Sequence, residues 1–254
     1  MQASSVAVTG SKVAAVGLGF WVMKIAATTL GETAGDLLSM TLQLGYLLSS
    51  AVLFSAFLGL LALQLRARRF HPLLFWSVVL ATSTAGTTLS DFLDRTLGLG
   101  YALGASLLAG GLALVLVLWK WSEKTLSVSD IRSPRSEAFY WTAVLFSNTL
   151  GTALGDFLAD DSGLGFGGGA LLIGSLILLT ALASRIRQVN RVVLFWIAFV
   201  LTRPFGATFG DLLTKPLDKG GLDFGTLGSS LILFAMLVGM VGLSMRRLRT
   251  GATA

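Results

Sequence analysis

The sequence has no cysteine. Disulfides, iron–sulfur clusters and thiolate metal sites are excluded. A single histidine, His71, sits beside Pro72 in a connecting segment, which argues against a histidine-built zinc, haem or copper site. Charge is also scarce. Asp, Glu, Lys and Arg make up 13% of the chain, about half the level of a soluble domain. No sizeable soluble domain is left once the apolar runs are set aside. The N-terminal MQASSVAVTGSK has no basic stretch before the first apolar segment, so we expect no cleavable signal peptide.

Apolar sequence is what the chain does have. The hydrophobic fraction is 54% and the mean hydropathy is +0.79. Eight apolar segments follow one another, at 13–36, 44–65, 72–93, 99–121, 138–158, 164–185, 192–212 and 224–245. Each is near the roughly 20 residues that span a bilayer as a helix. The expected fold is an all-α membrane protein of eight transmembrane helices. Their connections alternate in charge. Lys12, Arg66, Arg68, Arg69, Lys120, Lys124, Arg132, Arg135, Arg185, Arg187, Arg191, Arg246, Arg247 and Arg249 fall on one side. Most acids, among them Asp36, Asp91, Asp94, Asp156, Asp160, Asp161, Asp211, Asp218 and Asp223, fall on the other. The basic side of a membrane protein is cytoplasmic, so both termini are expected inside. The net charge of +6 then reflects topology, and no nucleic-acid partner is needed. Two halves are expected, 1–125 and 138–254, joined by a cytoplasmic linker at 126–137.

Four stretches align without a gap: WVMKIAATTLGETAGDLLS from Trp21, WSVVLATSTAGTTLSDFLD from Trp76, WTAVLFSNTLGTALGDFLA from Trp141 and WIAFVLTRPFGATFGDLLT from Trp196. Each carries Gly ten residues after the Trp (Gly31, Gly86, Gly151, Gly206) and Asp five further on (Asp36, Asp91, Asp156, Asp211). The copies lie 55, 65 and 55 residues apart. They predict four helical hairpins in two pairs, all of the same orientation, and hence a parallel repeat with pseudo-fourfold or two-plus-two symmetry. We read the Trp row and the glycines as packing positions.

A polar stripe runs along each odd helix, because residues four apart share a face. In the first it is Lys24, Thr28, Glu32 and Asp36; in the second Ser83, Thr87 and Asp91; in the third Asn148, Thr152 and Asp156; in the fourth Arg203 and Asp211. The aspartates fall near the outer boundary, and Lys24 and Arg203 roughly 18 Å in from the inner basic residues, close to the midplane. Buried charges in membranes face a bundle interior or a wet cavity. The stripes are therefore expected to converge on an outward-facing cavity. Pro204 is expected to kink the seventh span and free a carbonyl. Plainer roles compete. In these the aspartates cap the outer turn, and Lys24 and Arg203 act as counter-ions to Glu32 or an Asp.

With phrases such as TTLGETAGD and TRPFGATFGDLLTKP, the whole chain resembles an uncharacterised family of bacterial multi-pass integral membrane proteins with repeated G-x4-D helical hairpins. The resemblance implies a bacterial inner-membrane location and brings no substrate with it.

The oxygen-rich set suits a hard cation such as manganese, magnesium, calcium or sodium. Its carboxylate members, Asp36, Asp91, Asp156, Asp211 and Glu32, are the candidate metal ligands; Thr28, Ser83, Thr87, Asn148 and Thr152 complete the binding set. Carboxylates held this close compete for protons, so ion binding is expected to release them. Lys24, Arg203 and Pro204 are placed as coupling or gating residues, which favours a carrier over an open pore. The cation is substrate, and no covalent cofactor is expected. Two alternatives stand: a small anionic solute held by Lys24 and Arg203, and a non-transporting assembly or sensor. An intramembrane aspartyl protease is not expected, since the GxGD motif is absent. The partners are the bilayer and a small ion or solute, and a homo-oligomer is compatible with the sequence.

Overall fold

The computed structural model describes residues 12–131 and 133–249. Eight long helices make up the fold: α1 Leu18–Asp36, α2 Gly45–Arg66, α3 Pro72–Asp91, α4 Tyr101–Glu123, α5 Pro134–Asp156, α6 Gly165–Ala183, α7 Arg191–Thr214 and α8 Thr226–Arg249. Their bounds follow the apolar segments closely. The main departure is α1, which begins at Leu18 because residues 12–17 are not helical.

Local chemistry sets the starts of the later odd helices. Pro72 and Pro134 occupy the first turn, where a missing N–H costs nothing. Ser133 and Ser136 form a reciprocal cap on α5, and Asn190 accepts from the Val192 and Val193 N–H groups at α7. The lone histidine caps too: its Nδ1 accepts from the Leu74 N–H at 3.5 Å.

The odd helices form a closed inner ring in the order α1, α3, α5, α7 and back to α1. The even helices coat it, but not on their own hairpin partners. Helix α2 packs on α3, α4 on α5, α6 on α7, and α8 on α1. The simple hairpin expected from the repeat is thus corrected. Each outer helix is handed on to the next copy, so that all four copies interlock. Burial follows the same division. In the apolar windows of α3 and α7, 67% and 56% of residues are buried, against 17–28% in the even helices. Six helices, α2, α3, α4, α6, α7 and α8, are long and apolar enough to cross a membrane, while α1 and α5 fall outside that group. The coat explains why inner helices can carry polar residues at all.

Two cyclic contacts close the ring. At one end each copy has an aromatic before its Trp: Phe20, Phe75, Tyr140 and Phe195. Phe20 meets Trp76 at 5.6 Å, Phe75 meets Trp141 at 5.5 Å, Tyr140 meets Trp196 at 6.5 Å, and Phe195 meets Trp21 at 5.6 Å between ring centroids. The Trp row is packing, as expected. Halfway along, each repeated glycine receives the next inner helix. A Cβ on Gly31 would run into Ser83, one on Gly151 into Arg203 and Pro204, one on Gly206 into Thr28 at 2.7 Å, and one on Gly86 would lie 3.1 Å from Asn148. Only glycine permits so close an approach. Alanine at Gly31, Gly151 or Gly206 is expected to destabilise the protein by ~1–3 kcal/mol through overpacking, and by less at Gly86. Thermal unfolding in detergent checks the order. Equal losses at all four positions would contradict it.

Candidate functional site

At the end opposite the aromatic ring, the four aspartates come together, one from each copy. Asp36, Asp91, Asp156 and Asp211 are 2, 2, 3 and 5% exposed. Each lies in the last turns of its inner helix. After Asp36, Asp91 and Asp156 the chain winds one further π-helical turn, at Leu37–Thr41, Phe92–Thr96 and Phe157–Asp161. Turns of this kind are frequent at functional sites.

Two cations bridge the aspartates in pairs. Arg95 Nε lies 2.9 Å from Asp91 Oδ1, and its Nη2 lies 3.4 Å from Asp156 Oδ2. Lys215 Nζ lies 2.6 Å from Asp36 Oδ2 and 3.1 Å from Asp211 Oδ1. Burial opposes the Lys215 ammonium, but the Asp211 and Asp36 carboxylates outweigh it and hold its pKa above the ordinary lysine range. Each cation thus holds the Asp of its own copy and that of the following copy, which makes the aspartate end two-plus-two in symmetry. Arg95 and Lys215 were not among the residues expected from sequence. A signal existed: they stand four residues after Asp91 and Asp211, where the other copies have Met40 and Asp160.

Below the aspartates, Arg203 reaches the other three inner helices. Its Nη2 donates to Glu32 Oε2 at 2.9 Å on α1, to Thr152 Oγ1 at 2.7 Å on α5, and to the Ser83 carbonyl at 3.4 Å and Thr87 Oγ1 on α3. A side chain that touches all three neighbours sits at the ring's centre. Among the described residues its Nε and Nη1 have no hydrogen-bond partner. Nearer the aromatic end, Lys24 Nζ donates to Asn148 Oδ1 at 3.2 Å and lies 4.2 Å from the Phe199 ring centroid. Asn148 in turn donates to Thr82 Oγ1 at 2.9 Å, and Thr28 donates to the Thr202 carbonyl at 3.0 Å. Arg203 is therefore the counter-ion of Glu32. Among the described residues Lys24 has no carboxylate within ion-pair range.

The stripes converge, but the open cavity expected from sequence is closed in this structure. Lys24, Thr28, Ser83, Thr87, Asn148, Thr152 and Arg203 are all fully buried. The physical reason lies in the cations. Arg95 and Lys215 cover the aspartates, and Arg203 fills the centre. Helix α7 runs unbroken through Pro204, whose ring packs toward Gly151. One group of acids has the spacing of an ion site. Glu32, Asp36 and Asp211 each offer a carboxylate oxygen, and the three oxygens lie within 4.8 Å of one another. Such hard oxygen donors suit magnesium, manganese or calcium.

Residues 19–70, 74–125, 139–189 and 194–250 match the family described as Repeat of Unknown Function (DUF347). The chain belongs to that family. Each matched repeat contains one inner and one outer helix, with the G-x4-D stretch of its copy. The family's unit therefore supplies one aspartate and one quarter of the ring. No curated protein and no solved structure matches the chain.

Proposed function

We propose that the protein is a carrier for a hard metal cation, with proton exchange, and that the structure is its occluded state. In this reading all eight helices span a bacterial inner membrane with both termini cytoplasmic, and the aspartates face outward. One observation carries it. Five buried carboxylates, Glu32 and the four aspartates, are faced by three cations, Arg95, Lys215 and Arg203. Lys24 is two turns further down, roughly 12 Å along the helix. Two formal negative charges are left over in a closed site. Buried charge needs compensation, and one divalent cation or two protons supply it. The mutual exclusion of the two is the basis of exchange.

A carrier fits better than a pore. The path beyond Glu32 meets two buried cations and then the aromatic ring, and a cation has no continuous polar route through them. Ion entry would release Lys215 from Asp36 and Asp211, so that Lys215 acts as outer gate. The anionic-solute reading rests on a different observation, the Nε and Nη1 nitrogens of Arg203, which have no hydrogen-bond partner among the described residues.

Liposomes carrying the protein and an internal pH dye test the proposal against gradients of manganese, magnesium, calcium and sodium. Cation flux with counter-movement of protons is expected in the wild type, with at least a tenfold loss in Asp91→Asn and Asp211→Asn. Proton movement only when an anion is added would favour the anionic solute. No flux under any gradient would remove the carrier.

A further inference from the structure

Lys12 lies outside every helix, yet it is tied down at the end of the bundle opposite the aspartates. Its ammonium has three protons and three acceptors. It pairs with the Glu137 carboxylate and donates to the Gln64 and Leu65 carbonyls at 3.3 and 3.2 Å. Those carbonyls lie in the last turn of α2, where the dipole favours a cation, and the Gln64 carbonyl also accepts from the Ala67 N–H at 3.2 Å. Gln64 completes the cluster. Its Nε2 donates to Glu137 Oε1 at 3.1 Å and to the Lys12 carbonyl at 3.5 Å. Glu137 and Gln64 are each 1% exposed.

The position matters more than the bonds. Residues 12–17 lead directly into α1, while Glu137 lies in the first turn of α5. Helices α1 and α5 are opposite corners of the ring, separated by α3 on one side and α7 on the other. A short extended strap therefore joins one corner to the other at the end where the aromatic pairs meet. Two of its own residues, Val13 and Ala14, are buried in the core. The four inner helices already hold one another through their glycines and aromatic pairs, and none of those contacts needs the strap. A buried carboxylate paired with a residue outside the ring is instead what a breakable closure requires. Polar bonds hold it when shut, and water can replace them when it lifts.

We propose that residues 12–17 are an inner gate, a latch made by Lys12, Glu137 and Gln64 that keeps the aromatic end of the ring shut until the acidic site at the opposite end is occupied. What the gate admits rests on the carrier reading, but the gate itself concerns access alone.

The absence of native cysteine makes the test direct. A single cysteine replaces Val79, which is 1% exposed and three residues beyond Trp76 toward the centre. The protein is held in lipid nanodiscs and treated with a charged maleimide. Slow labelling is expected with the latch intact, and at least tenfold faster labelling with Lys12→Met or Glu137→Gln. Lys12→Arg, which keeps the charge, should label slowly. A second reporter, Val13→Cys, leaves all three latch residues in place and reads strap lifting without weakening it. Its labelling should accelerate when manganese is added. Unchanged rates at Val79 in variants that remain folded would overturn the gate and leave a brace. If the variants fail to fold, a Val13→Cys that never labels in the folded protein, with or without manganese, overturns it equally. Faster labelling without ion flux in liposomes would keep the gate and remove the carrier. Flux without any labelling change would do the reverse.

Discussion

Arg203→Met is expected to cost ~3–5 kcal/mol of stability, because it leaves the Glu32 charge buried without its partner. The loss is larger than one ion pair implies. Arg203 also donates to Thr87, Thr152 and the Ser83 carbonyl, so a single guanidinium ties α7 to α1, α3 and α5. Lysine should not substitute. Its side chain is shorter, and its ammonium stops short of the Nη2 position that makes all of these contacts. Removing the charge on both sides should help: Arg203→Met with Glu32→Gln is expected to recover at least half of the loss, since the uncompensated carboxylate is gone. A double-mutant cycle by thermal unfolding in detergent measures this. If the double variant is no more stable than Arg203→Met alone, the Glu32 pairing is not what makes Arg203 essential.

Lys215→Met is expected to convert the aspartate end into an ion-dependent structure. Without added metal the variant should be less stable than the wild type, since Asp36 and Asp211 both lose the ammonium that bridges them. Manganese, magnesium or calcium should then restore it, and more strongly than they stabilise the wild type, because no tethered cation competes. An ion at about 100 times its dissociation constant adds ~2.7 kcal/mol to the state that binds it. Arg95→Met is the contrast. It frees Asp91 and Asp156, which are not in the Glu32, Asp36 and Asp211 cluster, and should show a weaker metal response. Melting temperatures of the three proteins, with and without each ion, decide the matter. An identical ion response in wild type and Lys215→Met would place the ion elsewhere.

Much of this was legible in the sequence because it is periodic. Helix positions follow from apolar length, the four copies from the Trp, Gly and Asp frame, and the convergence of Glu32, Arg203 and the aspartates from the cost of exposing them to lipid. What could not be read is which helix meets which. Nothing along the chain says that α2 packs on α3 and not on α1, because lipid-facing and helix-facing surfaces are equally apolar. The closure of the site was missed for a related reason. Arg95 and Lys215 sit where the chain leaves its helices, and such residues look like ordinary connecting charges until their reach to the next copy is known. Lys12 was counted as one basic residue among fourteen, and its partners are 52 and 125 positions away. The aromatic pairs were half visible: the Trp row was noted, and the residue before each Trp was not.

The handing-on of each outer helix to the next copy has a consequence for synthesis. Helix α1 carries Lys24, Glu32 and Asp36, and its outer cover is α8, made after the other helices. Among the eight helices, α1 is thus one of the least able to stand in lipid alone, and it waits for all the others before its coat arrives. The ring itself closes once α7 meets α1. A protein truncated before Thr226 keeps that closed ring but leaves the outer face of α1 without its cover.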